Sequence, residues 1–562
     1  MLFGRTTPLG LAISLLVCVN NIEASHYPIG GVHTGVDAQT GVRPARKDIL
    51  DLQKDLPTWS LYIQALIALQ KVPEDDPLSW FQIAGIHGRP YYSWGDVNWN
   101  PAAPQIGYCT HDDVLFPTWH RPYLALYEQV LASHVQVIAA KYNDATYTTA
   151  AKNFRIPYWD WAAVPALPPI VSDATVQIAT PSGTQNVANP LLLYKFQQFP
   201  LNGTWFPTTG TNTADRDLAQ DPTTLRFPNA AIQGTSQSNI VNENLGAVGL
   251  MSMIYSMFSK STAFYNIATQ VSTSPSLENP HGAVHVAIGG PYGHMSQLSY
   301  SAFDPIFWLH HANVDRLFAM WQAIYPDVWM LPTSDQIGTF TIARGTSDTS
   351  ASPLTPFYQP DGEAPWTSDA AHYTNTFGYS YPSVPDAIIT NANELSANVT
   401  ATVNALYNPR GEFGSSKRKR DEKREWSVAI QVLATALGER FTVRLYTKGA
   451  PVASFCVLPP PVADGRIPPS LTYHNEFTLA DAIKTVDTTN IEDVVDYLKT
   501  NLSWTVEKRD GTVVPTEQVS GLIITVQDEI VTHPADDTQL PIYGTKTLHP
   551  EITSGKAGGA RS

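Results

Sequence analysis

Fifteen histidines are spread along this chain of 562 residues, and six of them fall into two groups whose spacing could hold metal ions. His281 and His285 stand four apart in Glu278-Asn-Pro-His281-Gly-Ala-Val-His285. On a helix they project from one face, within reach of a single ion. His311 lies downstream in Asp304-Pro-Ile-Phe-Trp-Leu-His310-His311-Ala-Asn-Val-Asp315-Arg316. Far upstream are His87, His111 and His120, each among apolar or aromatic residues, where an unliganded imidazole is costly to bury. One such histidine reads most simply as a core residue bonded to a neighbour. Two sets of three do not. Three imidazoles per ion, with no cysteine or carboxylate among the candidate ligands, favour copper over structural zinc or a di-iron carboxylate centre.

These residues need elements to position them. Asp304 followed by Pro305 predicts a helix start with Asp304 as its cap. From there Phe307, His311, Val314, Phe318 and Trp321 recur at spacings of four and three, which puts His311 on the buried stripe. His310 lies about 100° away around the helix, so His311 is the expected ligand and His310 its neighbour. A helical pattern between residues 46 and 72 gathers Trp59, Tyr62, Leu66 and Leu69 on one side. A second follows Arg121-Pro122, with Leu124, Tyr127, Leu131, Val135 and Ile138 in phase and His120 just ahead of it. The expected class is therefore mainly α: a helical bundle with both metals in its core.

Residues 162–250, rich in Pro, Thr, Asn and Gly, read as long surface loops, and Pro291 to Tyr300 as a loop overhanging the metals. His294, within that overhang, is not expected to be a ligand. After residue 390 the pattern changes. A linker over 391–425 carries the basic cluster Lys417-Arg-Lys-Arg420, an exposed target for a protease. Strand-like runs at Trp426–Val432, Arg440–Tyr446 and Leu522–Val526 predict a smaller β-rich domain over 426–562.

These motifs resemble those of the tyrosinase, catechol oxidase and molluscan haemocyanin group of type 3 copper proteins, and the fungal tyrosinases most closely. The residues carrying the likeness are Cys109-Thr-His111, Phe116-Pro-Thr-Trp-His120-Arg121, Arg155-Ile-Pro-Tyr-Trp-Asp-Trp161, His281-x-x-x-His285 and Asp304-Pro-x-Phe-Trp-x-His-His-x-x-x-Asp315, in order between about residues 45 and 385. The resemblance implies two copper ions, one held by His87, His111 and His120 and the other by His281, His285 and His311. It implies oxidation of o-diphenols to o-quinones with O2, hydroxylation of monophenols, and a part in melanin or pigment formation. It also implies a thioether bond from Cys109 to His111, and Phe116 and Phe307 stacked on the ligands. Glu278 matches a glutamate that orients a proton-accepting water. The Asn that partners this glutamate in many tyrosinases is replaced by Gly282, which leaves catechol oxidase without monophenolase activity as an alternative. A haemocyanin-like oxygen carrier is the other, but the chain has no internal repeat. Val286 and Leu298 are expected to shape the entrance. Phe377-Gly-Tyr379-Ser-Tyr381-Pro382 resembles the aromatic close of the fungal catalytic domain, with Arg43 or Arg46 packed on it. The C-terminal domain is expected to act as a lid, placing Phe455 in the substrate's position until cleavage near Lys417–Arg420 releases it.

Composition narrows the partners. With 35 basic and 50 acidic residues the net charge is −15, which disfavours nucleic acid and anionic membranes. Met1 to Ala24 reads as a signal peptide, making residues 25–390 the catalytic domain of a secreted protein; without a true signal the chain is cytoplasmic. Cys18 leaves with that signal, and Cys109 and Cys456 alone make no disulfide framework.

Overall fold

The computed structural model describes residues 26–210, 212–409, 421–459 and 467–561. The expected signal peptide and the Lys417–Arg420 cluster lie outside these residues. Among the described residues no helix is long and apolar enough to cross a membrane.

The core is a helical bundle. Its members are α1 (Leu56–Leu69), α2 (Trp80–His87), α3 (Phe116–Ala139), α4 (Leu250–Lys260), α5 (Glu278–Gly289) and α6 (Ile306–Ile324). Helix α1 follows a short turn of helix from which Asp55 separates it; the Asp55 side chain caps it and Pro57 sits in its first turn. Trp59, Tyr62, Leu66 and Leu69 are buried, as the pattern predicts. Helix α3 begins six residues before Pro122 rather than after it, taking His120 and Pro122 inside the helix. Proline costs an interior backbone bond. Here Phe116, Trp119, His120, Tyr123 and Leu124 all bury on it, and that packing outweighs the loss. Helix α6 is capped as expected: Asp304 Oδ1 accepts from the Ile306 N–H at 3.1 Å.

Helices α3 and α6 are joined through one carboxylate. Asp315, one turn beyond His311, accepts from Arg121 Nε at 2.8 Å and from Arg46 Nη1 at 3.3 Å. The hydroxyls of Tyr379 and Tyr381 donate to Oδ2, the oxygen Arg46 also reaches, at 2.6 and 2.7 Å. Arg46 stacks over the Tyr379 ring at 3.5 Å, while Arg43 Nε donates to the Tyr379 carbonyl. Of the two arginines considered for that aromatic motif, Arg46 is the one on its ring.

Two stretches differ from the sequence reading. Residues 162–250 are not simply surface loops: they contain a hairpin (Thr175–Thr180 with Gly183–Ala188) and the helices Thr213–Leu218 and Ser238–Gly246. Within them Leu191, Tyr194, Phe196 and Arg226 are buried. Arg226 holds the Asp304 carboxylate at the start of α6, 78 residues away, which local composition could not reveal. The expected linker over 391–425 contains α7 (Ala392–Tyr407), packed on α4 and α6 through Val399, Val403 and Tyr407. Tyr407 and Asp160 both bond Arg316 of α6, so α7 belongs to the helical domain.

Two small strands, β1 (Thr333–Ser334) and β2 (Ser347–Asp348), pair near the metal end of the bundle. The C-terminal domain holds β3 (Asp421–Leu433), β4 (Phe441–Thr447), β5 (Ala450–Val457), β6 (Thr472–Thr478), β7 (Leu502–Lys508) and β8 (Ile523–His533). One sheet runs β6-β3-β8 and the other β7-β4-β5, all antiparallel. Replacing Asp315 by alanine strands two buried arginines. The expected cost is about 3–5 kcal/mol of stability, read by chemical denaturation. A loss below about 1 kcal/mol would show the cluster to be incidental.

Candidate metal centre

His87 ends α2, His120 lies in the second turn of α3, His281 and His285 face the same way on α5, and His311 comes from α6. His111 comes from the loop ahead of α3. The structure brings all six together. Nitrogens of His87, His111 and His120, with Cys109 Sγ, lie within 4.8 Å of one another; so do those of His281, His285, His310 and His311. The two groups adjoin: His120 and His311 stack with ring centres 4.5 Å apart, and His111 and His281 at 5.9 Å.

Backbone carbonyls orient three of the rings. Nδ1 of His87 lies 3.0 Å from the Leu298 carbonyl, that of His285 2.7 Å from Met295, and that of His120 2.7 Å from Phe116. Each Nδ1 is thereby the donor, which leaves Nε2 with its lone pair facing inward. Burial lowers every one of these histidines, to about 4 for His285 and about 3 for His120. They are neutral at pH 7. His87 Nε2, His311 Nδ1 and both nitrogens of His281 are buried with no hydrogen-bond partner. Uncharged imidazoles gathered in two groups, several of their nitrogens buried without a partner, are the donor set that an imidazole-preferring metal such as copper fits.

The overhanging loop therefore does more than cover the site. Met295 and Leu298 act through main-chain oxygens, which no side-chain motif announces. His294 bonds the Leu225 N–H and stays out of both clusters. Phe307 stacks on His311 at 4.0 Å, and Phe116 packs on His120 at 4.9 Å and His281 at 4.8 Å. His310 stacks on His281 at 5.2 Å, and neither of its nitrogens has a partner. Val286 lines a separate hollow of about 160 Å³ between α5 and the C-terminal domain. Gly282 is buried, yet a Cβ there would meet nothing within 4 Å.

Glu278 is more tightly held than a free base. Its Oε1 accepts from the Asp112 N–H and its Oε2 from the Gln270 N–H, both at 2.9 Å. Burial and the neighbouring Asp112 raise its proton affinity, which the two N–H donors oppose. Asp112, directly after His111, sits in the left-handed region at φ 58°. Besides Glu278 it is fixed by Gln270 Nε2 at 2.8 Å and by the Tyr473 hydroxyl at 2.5 Å. Tyr473 belongs to β6 of the C-terminal domain.

Phe455 is placed differently from the expectation. Its neighbours Ser454 and Cys456 line the hollow facing α5. Side chains alternate along a strand, so Phe455, opposite Val443, turns into the core of its own domain. Cys109 Sγ lies 3.6 Å from His111 Nε2 and 3.3 Å from His120 Nε2.

Two adjoining triads of uncharged imidazoles, carried by four helices and one loop, make a helical bundle with two groups that could each hold a metal ion. Comparison with known proteins agrees. The common central domain of tyrosinase matches residues 77–324, and the tyrosinase C-terminal domain residues 425–526. The chain is 37% identical over 408 residues to a tyrosinase of Neurospora crassa, covering 68% of this chain and 58% of that protein. It is 33% identical to polyphenol oxidase 2 of Agaricus bisporus, covering 72% of this chain and 76% of that one. A structure of latent and active mushroom tyrosinase superposes with a TM-score of 0.80 at 27% identity, over 94% of this chain and 98% of that chain. The chain belongs to the tyrosinase family, whose members are type 3 copper proteins.

His311→Ala should abolish binding of one metal ion per chain, whereas His310→Ala should leave metal content near that of the wild type. Metal analysis after copper reconstitution separates them. The reverse pattern would make His310 the ligand.

Proposed function

We propose that this chain is a copper-dependent polyphenol oxidase that turns o-diphenols into o-quinones, with His87, His111 and His120 holding one ion and His281, His285 and His311 the other. The observation that supports it is the pair of adjoining imidazole clusters, nearly all buried, with partnerless nitrogens in each. When bound, two copper ions supply O2 binding and accept the ring's electrons. The chain's own residues supply the rest. Leu298, Met295 and Phe116 carbonyls fix which nitrogen of each ring faces the ions. Phe307 and Phe116 hold the rings in place and keep water out. A catechol gives up two electrons and two protons, so two catechols are oxidised for each O2 reduced to water.

Monophenol hydroxylation needs a proton acceptor, because a phenol has a pKa near 10. Glu278 lies one helical turn before His281, but both of its oxygens are already engaged by backbone N–H groups. With glycine at position 282, no side chain there can help it orient a water. Diphenol oxidation is the main activity on this reading. There is room for a side chain, so Gly282→Asn should raise the ratio of monophenol to diphenol turnover several-fold at unchanged copper content. An unchanged ratio would show that another feature limits it.

The C-terminal domain acts as a lid. It touches the ligand-bearing segments directly: Tyr473 bonds Asp112, and the Asn279 side chain on α5 donates to the His474 carbonyl at 3.0 Å. The hollow beside His87, Cys109, His111 and Leu298 is only about 10 Å³, room for roughly one water and not for a phenol ring. Tyr473, rather than Phe455, is the lid aromatic in contact with the ligand loop. A tether keeps even a weak contact closed, since its effective concentration is near millimolar. Copper-loaded intact chain should therefore oxidise catechol slowly. Proteolysis near Lys417–Arg420 should raise the rate many-fold, and Tyr473→Phe should raise it in part without cleavage. Peptide mapping of the same material should find Cys109 joined to His111, two hydrogens lighter than the separate peptides. No catechol turnover by cleaved, copper-loaded chain would end the oxidase reading; equal turnover by intact and cleaved chain would end the lid, and freely alkylated Cys109 the crosslink.

A further inference from the structure

Close to the His111 loop, but outside both imidazole triads, three aspartates meet in the interior. Asp113 comes from the loop ahead of α3, Asp335 from the turn after β1, and Asp348 from β2. Oxygens of the three carboxylates lie within 4.8 Å of one another, and the residues are 3%, 2% and 1% exposed. None of the described ion pairs includes any of them.

Their hydrogen bonding is uneven, and that carries the argument. Asp335 Oδ1 accepts from the N–H groups of Ile337 and Gly338, both at 2.7 Å. Asp113 Oδ1 accepts from the Leu115 N–H at 2.7 Å, just before α3. The other oxygen of Asp113 and both oxygens of Asp348 are buried without a donor in good hydrogen-bond geometry, the Ser352 hydroxyl alone easing the Asp348 charge. A buried carboxylate with no donor is costly, and three together repel one another. An interior built this way either shares protons among the carboxylates or holds a cation. One proton shared between Asp113 and Asp348 would still leave one of the three partnerless oxygens bare, because Asp113 contributes one of them and Asp348 two. Carboxylates from three chain segments converging on one point, with oxygens free, are hard donors suited to a calcium-type ion, which tolerates irregular oxygen shells completed by water or carbonyls.

We propose that Asp113, Asp335 and Asp348 form a buried site for one divalent cation of calcium type. It lies two residues beyond His111 and at the entry to α3, which carries His120. A bound ion ties the β1–β2 segment to the backbone that positions two of the three imidazoles of the first triad. The site is structural, and it does not depend on which reaction the imidazole centre performs.

The test uses copper-loaded full-length chain freed of other ions by passage over a chelating resin. Equilibrium dialysis against Ca2+ near 1 mM, a concentration at which weak structural sites fill, should find one calcium per chain. The melting temperature should rise by about 2–4 °C with Ca2+ present. Asp348→Asn should lose both the bound calcium and the shift while keeping the copper content of the wild type. No calcium on the wild-type chain, or equal binding by Asp348→Asn, overturns the proposal. So does magnesium bound as well as calcium, or a third copper per chain that Asp348→Asn removes. If Asp348→Asn fails to fold, the wild-type dialysis decides by itself.

Discussion

The bundle depends on the carboxylate of Asp315. It is fully buried, lies one turn past His311, and receives four donors: two guanidinium groups and two phenol hydroxyls. Burial alone would favour its neutral form. Arg121 and Arg46 outweigh that and hold it below the usual carboxylate range. Because Arg121 is the residue after His120, the ion pair fixes the axial offset of α3 against α6. The imidazoles on those helices can then stack at 4.5 Å without a loop to align them. Arg46 extends the cluster to Glu128 further along α3, at 3.0 Å. A buried ion pair is weak evidence for stability, since its desolvation is costly. Its value here is register: an apolar contact could slide, but a two-arginine fork on one carboxylate cannot.

What the sequence makes legible follows from the range of the interactions. The His281–His285 spacing, the Phe307–His311 stripe and the Asp304 cap are local, and they appear where the pattern puts them. The start of α3 does not, because Pro122 signals a boundary that burial of Phe116, Trp119 and Tyr123 overrides. Helix α7 was hidden in a polar stretch, its apolar residues Val399, Val403 and Tyr407 making only a thin seam. The carbonyls of Leu298 and Met295, the Arg226–Asp304 pair and the Tyr473–Asp112 bond join residues far apart in the chain or act through the main chain. No spacing rule reaches them. Phe455 shows the limit from the other side. An aromatic on a strand suits a lid residue by type, but period-two alternation sends it inward while Ser454 and Cys456 face α5.

The contact between the two domains has its own character. Lys260 of α4 meets Glu476 at 2.5 Å and Glu529 at 2.7 Å, and Arg440 bonds the Gly290 carbonyl at the end of α5. Burial works against Glu476 as an anion, yet Lys260 and Lys546 hold it down to about 2. Its contribution is complete above the ordinary value of 4.5 and fades as pH falls toward 2. The C-terminal domain is thus held to the bundle by directional polar contacts that are themselves largely buried.

Glu278 carries a consequence for anyone who would probe it by substitution. Its two oxygens tie the first turn of α5 to two separate loops, one carrying His111 and Asp112 and the other passing through Gln270. A glutamine there keeps one acceptor but turns an amide N–H against a backbone N–H, so one loop must give way. An alanine frees both. Either change moves the left-handed Asp112 beside His111 before any proton has been asked to move. Rate losses in such variants therefore report geometry and acid–base chemistry in one number. Only a measurement of the imidazole centre itself, such as its spectrum or its affinity for metal, can divide that number into its two parts.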